Sequence, residues 1–319
     1  MGRPALLIQE NHATGPARPA GRTRRAWSLS LVLVGAAVLL SGCSTEVQRG
    51  FLPSNPGMTN QTGRIMSLWN GSWIAALLTG VLVWGLILWA VVVYRRRRDD
   101  TGLPAQIRYN IPLEILYTVV PLIMVGVLFY YTARDQAAIA SVATKPDITV
   151  NVVGKQWGWD FNYIQQGGKP LDVYDTGVQV QDTGAPGAEA QAPVLYLPVN
   201  QRVQFQLTSR DVAHSFWIPA FLYKMDVIPG VENRFQVIPQ QIGEYRGKCA
   251  ELCGEYHYQM LFKVRVVSQA DFDKHVADLR ALGQTGQLSS NLGRSQTPDR
   301  PGGAVPGTRP GGNDGTGNN

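Results

Sequence analysis

Two thiols, an imidazole and a thioether fall within twelve residues in the stretch Cys249-Ala250-Glu251-Leu252-Cys253-Gly254-Glu255-Tyr256-His257-Tyr258-Gln259-Met260. Soft sulfur and imidazole donors together suit copper, whereas carboxylate-rich clusters suit harder cations. A thioether is uncommon around structural zinc, where Cys and His usually complete the set. A second imidazole is available from His214, in Asp211-Val212-Ala213-His214-Ser215-Phe216-Trp217, thirty-five residues before Cys249. A mononuclear blue-copper site takes one Cys, two His and a weak Met. This set has one thiol more, and two cysteines four apart can bridge two metal ions. The alternative for the same pair is a disulfide, which exported proteins favour but which leaves both imidazoles and Met260 without a role.

The elements that must position these donors lie between residues 146 and 268. Asp147-Ile148-Thr149-Val150-Asn151-Val152-Val153, Arg202-Val203-Gln204-Phe205-Gln206-Leu207 and Phe262-Lys263-Val264-Arg265-Val266-Val267 alternate polar and apolar residues, the pattern of half-buried strands. Turn residues separate them, notably Gly167-Gly168-Lys169-Pro170, Pro198-Val199-Asn200 and Pro229-Gly230. Several short strands with such punctuation predict a small antiparallel sandwich or barrel. Residues 271–282 read as a short helix. From residue 283 to 319 the chain is rich in Gly, Pro, Ser, Thr and Asn, and it is expected to be disordered.

Ahead of the strands, residues 65–94 carry no charge, with Trp69, Trp73, Trp89 and Tyr94 towards the ends and Arg95-Arg96-Arg97-Arg98 following. That is a transmembrane helix with interfacial aromatics and a cytoplasmic basic flank. A cytoplasmic loop over 95–112 and a second span over 113–133 follow, in which Pro121 is tolerable. At the N-terminus, Arg22, Arg24 and Arg25 precede the apolar run Ala26 to Leu40 and then Leu40-Ser41-Gly42-Cys43. A basic segment, a short apolar core and small residues make a secretory signal. Its end resembles a bacterial lipobox, so residues 1–42 are expected to be removed and Cys43 lipidated. Residues 43–64 are then extracytoplasmic, the hairpin goes in and returns, and everything from about 135 is outside.

The formal charge of +6 and pI near 9.3 suggest nucleic acid until the charge is located. Residues 1–42 are net +4 and residues 146–270 net −2, so the basicity belongs to the signal and the membrane flank. A nucleic-acid partner is excluded on that distribution. Three cysteines exclude a disulfide scaffold.

Taken together, residues 65–268 resemble subunit II of cytochrome c oxidase, the haem–copper terminal oxidase. The resemblance implies a two-helix transmembrane hairpin followed by an all-β cupredoxin-like domain, a Greek-key sandwich or barrel. It implies a dinuclear copper centre, CuA, with His214, Cys249, Cys253, His257 and Met260 as side-chain ligands and Glu251 as a backbone-carbonyl ligand. It gives Trp157, in Gln156-Trp157-Gly158-Trp159, the role of admitting electrons, with Trp159 as packing. It implies a magnesium ion shared with subunit I through the Glu251 carboxylate, and proton uptake at Glu114. Asp211 is the docking candidate for a basic cytochrome c, matching the acidic balance of the domain. Subunits I and III and the membrane lipid are the other partners, and haem belongs to subunit I alone. The implied location is the bacterial plasma membrane, with the copper domain on its outer face. The implied function is to pass single electrons to haem for oxygen reduction coupled to proton pumping. A quinol oxidase subunit would lack the ligands present here. A copper chaperone with a thioredoxin-like alternation of helices and strands fits the strand-rich domain poorly, and a CuA-bearing nitric oxide reductase subunit is not excluded by this chain alone.

Overall fold

The computed structural model of the 319-residue chain describes residues 44–96, 102, 106–181 and 188–289. The expected signal peptide, the lipidation residue Cys43, Arg97 and Arg98 of the basic flank, and the tail from residue 290 lie outside the described residues. The chain divides into two units, Met1–Phe51 and Leu52–Asn319. In the first, the described residues form one helical turn, α1 (Thr45–Gln48), capped by the Ser44 hydroxyl, which accepts from the Val47 amide.

The second unit opens with the hairpin of α2 (Thr62–Val93) and α3 (Ile111–Ala140). Thr59 and Thr62 start α2 by exchanging amide-to-hydroxyl hydrogen bonds of 3.1 and 3.2 Å. Asn110 starts α3 by accepting from the Leu113 amide. Both helices are apolar on every face, with mean hydropathy of 2.5 and 2.1 over their best windows. At 1.5 Å per residue they are about 48 and 45 Å long, more than a hydrocarbon core of about 30 Å requires. The second helix runs past the expected end at 133 because the charges there are paired. Asp135, almost fully buried, takes Arg64 of α2 at 3.0 Å and Arg134 at 2.8 Å. This clamp joins the two helices at the end facing the β-domain.

The strands are β1 (Ile148–Lys155), β2 (Gly158–Gln166), β3 (Lys169–Thr176), β4 (Val194–Pro198), β5 (Val203–Ser209), β6 (His214–Ile218), β7 (Tyr223–Val227), β8 (Asn233–Val237), β9 (Gly243–Cys249) and β10 (Leu261–Val267). They form two five-stranded sheets, ordered β3-β2-β1-β5-β8 and β4-β10-β9-β6-β7. The sandwich is not purely antiparallel as expected. The chain crosses between sheets, and β1 therefore runs parallel to β5 and β4 parallel to β10. Alternation in β5 and β10 sends Phe205, Leu207, Phe262 and Val264 into the core, where Trp159 packs against Phe216 and Phe262. Strand β1 is buried along nearly all its length, more than its alternation suggested. It is the middle strand, and Asn151 on its outer face is engaged by Asn162.

The segment before α2 is stitched into the sandwich. Met58 joins the core, Thr59 bridges Pro239, and Asn55 pairs with Gln241 at 3.1 Å. Both outer ends of the hairpin therefore lie on the side of the β-domain.

Helix α4 (Gln269–Ala281) is capped by Ser268 and lays Phe272, Val276 and Leu279 on the fold. The residues after it depart from the expected disorder. Residues 284–289 run along the β3 edge: the Tyr174 amide donates to the Gln284 carbonyl at 3.1 Å, and the Gly286 amide to Asp172 at 2.8 Å. Leu288 exchanges two hydrogen bonds with the Asn162 side chain, of 2.8 and 3.0 Å. The Ser289 carbonyl accepts from buried Arg210 at 2.6 Å. This strap is held through backbone groups, so a composition poor in apolar side chains gave no sign of it.

Truncation after Leu282 removes the Ser289 carbonyl from Arg210, which keeps Asp160, and both Leu288 hydrogen bonds from Asn162, which keeps Asn151, at about 1 kcal/mol for each hydrogen bond lost. Its melting temperature is expected to fall by several degrees, whereas truncation after Ser289 leaves it unchanged; equal melting of the two forms would refute the strap. A second expectation concerns His275, stacked on Tyr196 at 3.8 Å and edge-on to Tyr163, with no partner for Nε2 among the described residues. Burial, with smaller effects from Arg265 and Lys274, pushes its pKa from 6.5 down to about 4, against the opposing pull of Asp278. The unfolded chain takes up that proton first. The contribution is therefore complete above pH 6.5 and is lost as pH falls towards 4. Melts at about pH 7.5 and pH 5 should differ less in His275→Phe than in the parent, and an identical difference would remove His275 from the account.

Candidate metal centre

The centre forms where two strands end and one begins. His214 opens β6, Cys249 closes β9, and residues 250–260 loop over to the start of β10. Strands β6 and β9 pair antiparallel, with Phe216 opposite Cys249, so the His214 ring and the first thiol point into the same space between the sheets. The Cys249 sulfur lies 3.9 Å from His214 Nδ1 and 3.2 Å from the Glu251 carbonyl oxygen. The Cys253 sulfur lies 3.5 Å from His257 Nδ1 and 3.8 Å from Met260 Sδ. The two sulfurs are 3.9 Å apart and both thiols are free, far beyond the roughly 2.05 Å of a disulfide. His214, Cys249, Cys253 and Met260 are buried, and His257 is half-buried at the rim. His214 and the two cysteines present donor atoms within 4.8 Å of one another, a group able to hold a metal ion.

The surroundings fix these donors. Gly154 of β1 lies against the imidazole, and a Cβ there would come within 2.9 Å of His214 Cδ2. Asp211 Oδ1 sits 2.8 Å from His214 Nε2, while its carboxylate also accepts from the Gln156 and Val212 backbone amides, each at 2.7 Å. That carboxylate turns Nδ1 of His214 towards the sulfurs, as second-layer partners of metal-binding histidines do. Burial is the largest influence and opposes charge on both residues, but it is outweighed by the combined hydrogen bonds and charges around them: His214 and the Gln156 and Val212 amides at Asp211, and Asp211 and Cys249 at His214. The Asp211 carboxyl is held below its ordinary pKa and the His214 imidazole above. The hydrogen bond from the Cys253 thiol lowers the Cys249 pKa to about 3, helped by His214, while the same contact pushes Cys253 upward. The pair therefore gives up a first proton readily and keeps the second, which a metal ion must displace.

Trp157 and Trp159 divide as their spacing along the chain requires. Trp159 is fully buried, its indole N–H donating to the Met260 carbonyl at 3.3 Å. Trp157 is half-buried above the loop, with its indole N–H towards the Cys253 carbonyl at 3.3 Å. Glu251 is exposed, its carboxylate on the exterior of the loop. Glu114 sits at the far end of the hairpin, where its carboxylate accepts from the Asn110 amide at 3.1 Å and completes the cap of α3.

Asp211 corrects an expectation. Its sequence context suggests a docking surface, yet its side chain is only 7% exposed and both oxygens are engaged inside. Gly154, Gly254 and the buried Lys155–Asp160–Arg210 network are also absent from the sequence-based expectations. Lys155 Nζ pairs with Asp160 Oδ1 and Arg210 Nη2 with Asp160 Oδ2 at 3.2 Å. A glycine inside an alternating strand was the available signal for Gly154. The ion network left none, because Asp160 and Arg210 lie 50 residues apart along the chain.

Comparison with known proteins identifies the family. Residues 148–267 match the family model described as cytochrome C oxidase subunit II, periplasmic domain. The probable cytochrome c oxidase subunit 2 of Streptomyces avermitilis is 46% identical over 307 residues, covering 88% of this chain and 94% of that one. The cytochrome c oxidase subunit 2 of Mycobacterium tuberculosis is 34% identical over 318 residues, covering 86% and 87%. Among solved structures, the periplasmic domain of subunit II of cytochrome oxidase from Bradyrhizobium japonicum is 31% identical, with a TM-score of 0.39 over 44% of this chain and 98% of that one. With near full-length relatives at that identity and a buried thiol–imidazole cluster where the loop motif lies, the chain belongs to the cytochrome c oxidase subunit II family.

Proposed function

We propose that this chain is the subunit through which electrons enter a haem–copper cytochrome c oxidase, holding a dinuclear copper centre on the outer face of a bacterial plasma membrane. The observation that carries the reading is the donor set: two free thiols 3.9 Å apart, two imidazoles and a thioether, gathered at one buried rim. Soft donors of this kind fit copper, and two adjacent sulfurs suit a bridged pair. His214, Cys249, Cys253, His257 and Met260 hold it by side chains and Glu251 by its carbonyl. Bound there, copper would supply a one-electron store.

The remaining work belongs to the chain's own residues. Asp211 orients His214. Trp159, Phe216 and Phe262 fill the space behind the ligands and keep water out. Trp157 meets the reduced cytochrome c and provides the path inward, and electrons leave towards haem in subunit I, where oxygen is reduced. The apolar faces of α2 and α3 present the surface on which subunit I packs, with subunit III completing the assembly. The outward Glu251 carboxylate is available to a magnesium ion shared with subunit I. Glu114 lies where proton uptake is needed at the inner end of α3, in addition to its capping role. Cys43, processed and lipidated, anchors the N-terminus.

Electron paramagnetic resonance of the copper-loaded protein tests the centre: hyperfine coupling to two equivalent coppers is expected, and a single-copper or zinc-only preparation rejects it. Cys253→Ser is expected to abolish the two-copper signal. Asp211→Ala should lower copper retention by about 10–100-fold with the fold intact by circular dichroism. Unchanged retention would remove Asp211 from the site.

A further inference from the structure

Besides its packing against the core, the Trp157 indole meets three residues of one short stretch of the ligand loop, Cys253, Gly254 and Tyr256. The indole N–H points at the Cys253 carbonyl, but at 3.3 Å that is longer than the usual range of about 2.7–3.2 Å. The same oxygen already accepts from the Gln156 side-chain amide at 2.7 Å, so the indole is the weaker of two donors competing for it. Gly254 leaves room beneath the ring: its φ is +125°, and a Cβ would stand 3.1 Å from Trp157 Cζ2. What fixes the orientation of the plane is Tyr256, whose ring meets the indole edge-on, with centroids 4.8 Å apart and an interplanar angle of 84°. Such perpendicular packing sets the angle of an aromatic pair in a way that a long hydrogen bond does not.

We infer that Tyr256 is the positioning residue for electron uptake: held between ligands Cys253 and His257, its ring locks the Trp157 indole in the orientation that receives electrons from the donor. The inference rests on the role proposed above for Trp157 and extends it. Tyr256 itself gains and loses nothing. One electron would leave the ferrous haem of a c-type cytochrome, which becomes ferric, and be taken up by copper held at the proposed ligands, with no bond or proton changing at the phenol.

The test uses the complete oxidase carrying Tyr256→Ala, Tyr256→Phe or Trp157→Ala. Rapid-mixing reduction by a soluble ferrous c-type cytochrome is compared with reduction by hexaammineruthenium(II), a small reductant that needs no aromatic contact. Tyr256→Ala is expected to slow the cytochrome reaction about 10-fold, about 1.4 kcal/mol, with the ruthenium rate and the copper resonance spectrum unchanged. Tyr256→Phe should restore the rate, since the contact needs the ring and not the hydroxyl. In 5-fluorotryptophan-labelled protein, the Trp157 resonance, assigned by its absence in Trp157→Ala, should shift in Tyr256→Ala and not in Tyr256→Phe. Slow Trp157→Ala with normal Tyr256→Ala overturns the inference and leaves the role of Trp157 standing. Normal rates in both variants overturn the role of Trp157 and the inference with it. A changed copper spectrum in Tyr256→Ala shows that the ring supports the ligand loop rather than the indole, and also overturns it.

Discussion

Two ladder pairs, Phe216 with Cys249 and Trp217 with Lys248, join β6 to β9 and decide whether this domain has a metal centre. They place the first residue of one strand beside the last residue of another and make both face inward. A slip of one residue would send Cys249 to the outer face and Lys248 into the core. The Ala250 amide, donating to the Ser215 carbonyl at 3.0 Å, extends the pairing beyond the strand and sets where the ligand loop begins. The aromatic packing of Phe216 against Phe262 and Trp159 gives this register its energetic preference. The loop then needs only residues 250–260 to return to β10.

Around that register lies an unusual density of buried charge. Lys155, Asp160 and Arg210 are all nearly inaccessible, and Asp211 follows directly. Buried ions are stabilising only when each is fully paired, and here the pairing is shared among four segments: β1, β2, the end of β5 and the strap after α4. The benefit is directional. Lys155 and Arg210 converge on one carboxylate, so the adjoining backbone of Gln156 and Asp211 is set in place on either side of His214, and the Trp157 turn is fixed with it.

Most of the candidate ligand set is legible in the sequence because Cys249, Cys253, His257 and Met260 are close along the chain and chemically distinctive, while His214 lies thirty-five residues before Cys249. The two spans are legible because a long uncharged run flanked by aromatics and arginines matches the thickness and the interfaces of a bilayer. Strands β5 and β10 show through because their alternation matches a half-buried sheet. What stays hidden is every role that depends on a distant partner. Asp211 reads as a surface carboxylate until the Gln156 amide and the His214 ring are seen around it. Asp135 reads as the end of a span until Arg64, on the other helix, meets it. The strap at residues 284–289 is invisible to composition because β3 recognises its backbone, and the parallel pairings follow from crossovers that local periodicity does not encode.

The stitching of Met58 and Thr59 into the sandwich has a mechanical meaning. Both strands of chain that connect the sandwich to the bilayer are short and tied down, one through Thr59 to Pro239 and the other through the Thr144 carbonyl to Gln236 at 2.7 Å. A globular head on two short, tied-down struts has less freedom to swing than a tethered ball, so the distance from its rim to the helix ends is set by the fold itself.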